Sequence, residues 1–303
     1  MKKIYMLLIL IALSVISLFI GVSDISLDIM FQTRLPRLIS IIVAGVGMSI
    51  SGLIMQQISR NKFVSPTTAT TVDSAKLGVL VSFIIFSESS SVQKMLIAFI
   101  FSVAGTLIFM RVLRKIKFKN AVFIPLVGMV LGSIIDSIST YMAYSFDLVQ
   151  NVSTWMQGDF SMVIKGRYEL LYISIPLIFI AFLYANKFTV VGMGEEFSVN
   201  LGLNYNQILN IGIGIVALIT SLVIITVGRI PFIGLIIPNI VTIFMGDNMR
   251  KNIIPTALFG AIFLLICDIF GRLIIYPYEV SISLIVGVIG SIIFLYLLVR
   301  GNK

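Results

Sequence analysis

"RLPRLISIIVAGVGMSISGLIMQQISRN", Arg34 to Asn61, decides the fold class. No charged residue stands between Arg37 and Arg60. A helix over that stretch, rising 1.5 Å per residue, reaches across about 30 Å, the hydrocarbon thickness of a bilayer. The small residues of "AGVGMSISG" (Ala44 to Gly52) suit the close backbone approach that membrane helices use. Pro36 fits a first turn, where its missing N–H costs nothing. The stretch therefore predicts a membrane span over about 35–58, with Arg34 and Arg37 one turn apart on one face at its entry.

The rest of the chain agrees. Of 303 residues, 58% are hydrophobic and only 12% charged, and the mean hydropathy is +1.10. A soluble domain is about a quarter charged, so this composition describes an all-α integral membrane protein, read as a single transmembrane domain over 1–303. Apolar runs between charged or Gly/Pro/Asn-rich breaks predict ten spans. They fall at about 4–22, 35–58, 67–86, 92–110, 121–144, 169–186, 207–227, 232–245, 253–276 and 280–299. The first follows Lys2 and Lys3 as a signal peptide would, but its apolar run is long and no small-x-small site follows, so it reads as an uncleaved span. The eighth is short, and Pro231 and Pro238 suggest an irregular entry.

The basic residues orient the spans. With both termini cytoplasmic, twice as many Lys and Arg fall inside as outside, led by "RVLRKIKFK" (Arg111 to Lys119). This bias also explains the +9 net charge without nucleic acid. The orientation puts Arg34 and Arg37 outside. Position alone leaves two readings open, a snorkelling pair at lipid headgroups or a docking point for an acidic partner.

Much chemistry is excluded. The chain has no histidine and one cysteine, Cys267, so zinc sites and His-based catalysis fall away, and no metal ligand set is expected. It lacks a G-x-x-x-x-G-K-[ST] phosphate loop, so it is not itself an ATPase of that type, and no enzymatic role is expected. The largest loop, about 145–168, is external and carries the only tryptophan, Trp155, as an interfacial anchor or a lid. Ionisable residues inside spans are costly and become functional candidates: Asp73, Lys76, Asp136 and Asp268. Asp73 and Lys76 are three apart and are expected to neutralise each other. Asp136, among Ser and Thr in "GSIIDSIST", is a candidate for lining a polar pathway. Asp268 is expected to pair with Arg272 at i,i+4. On the cytoplasmic side, "GMGEEFSVNLGLN" (Gly192 to Asn204) interrupts the basic run with Glu195 and Glu196. Two short glycine-bounded helices with acids in the first turn would match their dipoles, and the segment is either a connector or a surface for a cytoplasmic partner.

Five ordered motifs, spread over essentially the whole chain, resemble the iron-siderophore and vitamin B12 permease family of bacterial ABC importers. They are Arg34–Asn61, "GEEFSVNLG" (Gly194–Gly202), "GRIPFIGLIIPNIV" (Gly228–Val241), "GDNMRKNIIPTALFGA" (Gly246–Ala261) and "CDIFGR" (Cys267–Arg272). "QQISRNKFVSPTTATTVD" and "NVSTWMQGDFSMVIKGRYELLY" look most like the catecholate-type, petrobactin-like branch. The resemblance implies a ten-span, vitamin-B12-permease-like subunit in the bacterial cell membrane, paired with a second permease subunit around a central pathway. Two cytoplasmic ATPases would spend the ATP, and an external siderophore-binding lipoprotein would deliver the substrate. No cofactor would be bound by this chain. Arg34, Arg37 and Arg272 would then meet acids of the binding protein. Gly194, Glu195, Glu196, Leu201 and Gly202 would form the coupling segment seated in the ATPase.

This chain departs from the family pattern at Pro238-Asn239, where Pro-His is common, and at Thr242, where an arginine usually follows. Asn61-Lys62-Phe63-Val64-Ser65-Pro66 and Glu279-Val280-Ser281-Ile282-Ser283 also differ. Asn239 joins Asp136 as a candidate pathway residue. The competing readings are a vitamin B12 or haem importer, a proton- or sodium-coupled carrier working through Asp136 and Asp73, and a non-transporting scaffold.

Overall fold

The structure, a computed structural model, describes residues 3–21, 26–68, 70–115 and 123–301. Lys2, Lys117, Lys119 and Lys303, which contribute to the charge bias, lie outside the described residues, as does most of the second half of the "RVLRKIKFK" loop. Each apolar run forms a helix. They are α1 (Lys3–Phe19), α2 (Leu27–Ser59, with one π turn at Met30–Arg34), α3 (Thr71–Ile85), α4 (Ser91–Lys115) and α5 (Phe123–Ser145). After the short α6 (Val149–Met156) come α7 (Ser174–Val191), the six-residue α8 (Glu195–Asn200) and α9 (Tyr205–Val227). The chain closes with α10 (Ile233–Met245), α11 (Met249–Leu273) and α12 (Ile282–Gly301).

Seven of these segments are long and apolar enough to cross a membrane, and α1 and α10 are apolar but shorter. The chain is a multi-pass membrane protein. Burial sorts the helices into an inner and an outer set. The apolar window of α2 is 78% buried and that of α9 72%, whereas those of the α7 segment and α12 are each 22% buried. Leucines, isoleucines and phenylalanines cover the outer helices, an exposed apolar surface that suits hydrocarbon and not water.

α2 is the centre, packing against α11, α9, α10 and α7. Its small residues make this possible. A Cβ on Gly45 would stand 2.7 Å from the Gly260 carbonyl oxygen of α11, and one on Gly52 would collide with the backbone of Gly234 in α10. Without side chains at these points the backbones approach closely and gain dispersion contact along the seam. The predicted irregular eighth span is α10. Phe232 adopts φ 61° just before it, Pro238 stands inside it, and it has only 13 residues.

A second group, α3, α4 and α5, packs beside α9. Here one expectation is overturned. Lys76 does not pair with Asp73 on its own helix. It extends to α5, where its Nζ lies 2.7 Å from Asp136 Oδ1 and 3.1 Å from Thr140 Oγ1. Asp73 instead has its carboxylate against Gly132, one turn before Asp136. The two helices run side by side, so the long lysine stem finds a carboxylate on the neighbour that no reading of a single helix contains.

Candidate functional site

Two polar sites lie at opposite ends of α2. Arg34 enters the helix at one end and Arg60 closes it at the other, about 40 Å away at helical rise.

At the first end, α1 finishes, α2 and α12 begin, and α11 finishes. Arg34 sits in the π turn and is buried. Its Nη1 donates to the Leu18 carbonyl at 2.7 Å. Arg272, in the last turn of α11, is also buried. It donates from Nη1 to the carbonyls of Ser17 and Ile20, both at 2.9 Å, and from Nη2 to Ser17 Oγ. These carbonyls belong to the C-terminal end of α1, where the last helical oxygens lack intrahelical donors and the dipole is negative. Two arginines from two other helices thus cap α1.

The expected Asp268–Arg272 pair is present, with Oδ2 and Nη2 2.5 Å apart. Asp268 also accepts from Arg37, whose Nε and Nη2 lie 3.1 and 2.8 Å from Oδ1. Arg37 completes the cluster by donating from Nη1 to Glu279 Oε2 at 2.7 Å. The structure therefore brings Arg34, Arg37 and Arg272 to one end of the bundle and adds two acids, Asp268 and Glu279. Sequence reading offered only the i,i+4 spacing for the first acid and no signal for the second.

At the other end, Gly194 takes φ 120° and Gly202 φ 75°, bracketing α8. One helix forms here, not two, because Asn204 immediately caps α9 by accepting from the Gln207 N–H. Ser198 is buried and holds α8 down by donating to the carbonyls of Gly194 and Val190. Glu195 and Glu196 stay exposed, and so do Met193, Phe197, Val199 and Leu201. The helix and its two flanks thus show four large apolar side chains beside two acids, an exposed apolar patch. Gly194 lies beside the Arg60 guanidinium and Gly192 against the Gln57 side chain, so the end of α2 rests on this segment.

The pathway candidates differ from each other. The Asp136 side chain is 46% exposed on α5, against Lys76. Asn239 is buried in α10, with Nδ2 donating to the carbonyls of Lys62 at 2.7 Å and Leu235 at 2.9 Å. It ties down the loop after α2. At the arginine end, a cavity of about 520 Å³ is lined by Phe83, Met95, Trp155, Gln157 and Arg167, among others. Among the described residues no group of His, Cys, Asp and Glu could hold a metal ion.

The structure is thus a helical membrane bundle with a buried arginine cluster at one end and a presented short helix at the other. The chain belongs to the FecCD transport family, whose model matches residues 4–300. It is 60% identical to the petrobactin import system permease protein YclN of Bacillus subtilis, over 99% of this chain and 98% of that one. It is 38% identical to the petrobactin import system permease protein FatD of Bacillus anthracis, over 98% and 90%. The fold matches a solved metal-chelate type ABC transporter in an inward-facing conformation, with TM-score 0.86 and 23% identity over 98% of both chains. Family membership makes the chain a transporter permease and sets aside the scaffold and the carrier working alone.

Proposed function

We propose that this chain is the membrane-spanning permease subunit of an ABC importer for a ferric siderophore of the petrobactin class. The observation that carries the reading is the full-length similarity to two relatives named as petrobactin import permeases. The subunit crosses the membrane ten times with both termini inside, which the positions of the helices and the bias of Lys and Arg support. The arginine end then faces outward and α8 inward.

In this arrangement Arg34, Arg37 and Arg272 form the docking surface for an external binding lipoprotein, and charge complementarity steers its acidic lobes there. Arg37 is the least buried member; Arg272 shares Asp268 with it, and Arg34 is held on the Leu18 carbonyl of α1. Gly194, Glu195, Glu196, Leu201 and Gly202 form the coupling segment for a cytoplasmic ATPase, with Phe197 and Val199 supplying apolar contact. A second permease subunit completes the pathway, with Asp136 lining it. Asn239 shapes the inner loop instead of touching substrate. ATP is spent by the partner, and this chain carries no cofactor.

The test is reconstitution of the permease pair with its ATPase and binding protein in vesicles. Ferric petrobactin accumulates inside with ATP present, and haem and vitamin B12 do not. Accumulation of haem or vitamin B12 in place of ferric petrobactin overturns the substrate assignment.

A further inference from the structure

The arginine cluster is not vacant. Arg37 spends Nε and Nη2 on Asp268 and Nη1 on Glu279. The two acids stand differently. Asp268 has a side chain 2% exposed and is held on its other oxygen by Arg272, so nothing displaces it without opening the cluster. Glu279 has a side chain 31% exposed and is held by Arg37 alone among the described ion pairs. It lies in the connection to α12, whose backbone is fixed by the Val280 N–H donating to the Gly271 carbonyl. The side chain can swing away while its anchor stays.

We infer that Glu279 is an internal stand-in for the docking carboxylate: it occupies the Arg37 position that an acidic group of the binding protein takes over, and so sets how tightly that protein is held. This rests on the docking role proposed above for Arg37. Docking is then an exchange, in which one Arg37 ion pair breaks as another forms. Two consequences follow. The net number of ion pairs changes little, so affinity in the native protein is modest and only weakly salt-dependent. The same exchange lets the emptied binding protein leave, because Glu279 returns to Arg37.

The experiment measures affinity of the binding protein for the complete reconstituted transporter, in native, Glu279→Gln and Arg37→Gln forms, across a range of ionic strength. Gln keeps the size of the side chain and removes the competing charge. Glu279→Gln is expected to tighten docking about fivefold at low salt, the scale of a partly exposed pair, and to steepen the loss of affinity with salt. Glu279→Ala, as a second variant, moves in the same direction. Arg37→Gln weakens docking. If Arg37→Gln weakens docking but both Glu279 variants leave affinity unchanged or reduce it, the stand-in role is overturned and the docking role survives. If Arg37→Gln has no effect, both are overturned.

Discussion

Arg272 and Ser17 are bound side chain to side chain and side chain to backbone, joining the last turn of α11 to the last turn of α1 across almost the whole length of the chain. With Arg34 on Leu18, this makes α1 a helix held at its C-terminal end by donors from elsewhere. The residues expected to face a partner are therefore also structural, and substitution at each should report a different mixture of the two roles.

Arg272→Leu gives the largest structural effect. It removes the donors to Ser17 and Ile20 and leaves the buried Asp268 with Arg37 as its one remaining ion-pair partner among the described residues. Leaving a buried acceptor without its donor costs about 1–3 kcal/mol, while Arg37 still compensates part of the Asp268 charge. Arg272→Lys keeps the charge but cannot reproduce the planar fork that meets Ser17, Ile20 and Asp268 together, and is expected to fall between. Denaturation of the purified protein in detergent ranks the three forms, and equal stability of Arg272→Leu and native protein would show that α1 is held by other means.

Lys76→Met tests where Asp136 faces. If α5 turns Asp136 toward a water-lined pathway, the carboxylate keeps its hydration once Lys76 is gone, and the loss of a half-exposed pair costs under about 1 kcal/mol. If Asp136 faces lipid, the stranded charge costs about 2.5–3.5 kcal/mol at mid-membrane. The small loss is expected, read as thermal stability in reconstituted membranes. The large loss removes Asp136 from the pathway.

Some of this arrangement was legible in the sequence, for identifiable reasons. A membrane helix announces itself through a local property, an apolar run of fixed length, so all ten runs correspond to helices, and even the short entry of α10 shows in Pro231 and Pro238. The glycine face of α2 is a local signal of the same kind. Asp268–Arg272 was readable because i,i+4 spacing is contact. What failed involves a second segment of the chain. Lys76 chose Asp136 over Asp73, and Arg37 found Glu279 in the connection before α12, because pairing in a bundle is set by which segments lie side by side. The capping of α1 by Arg34 and Arg272 was invisible for the same reason. An arginine beside an apolar run reads as a surface residue until a helix end is known to stop against it.

Trp155 supplies the remaining test, as the single tryptophan of the chain. The sequence alone leaves it as either an interfacial anchor or a lid over a pathway. In the structure it is half-buried on α6, with its ring 5.6 Å from that of Phe83 and tilted 81° in an edge-to-face pair, and it lines the 520 Å³ cavity. Such a pair contributes about 0.5–1.5 kcal/mol beyond area burial. A ring that faces Phe83 and a cavity is screened from acyl chains, whereas an interfacial anchor lies among them. Brominated lipids are therefore expected to quench Trp155 fluorescence weakly, and a small neutral quencher in water to reach it in part. Phe83→Ala opens the wall of the cavity, shifts the emission to longer wavelength and increases quenching from the water side. Strong quenching by brominated lipid in the native protein would return Trp155 to the role of a membrane anchor.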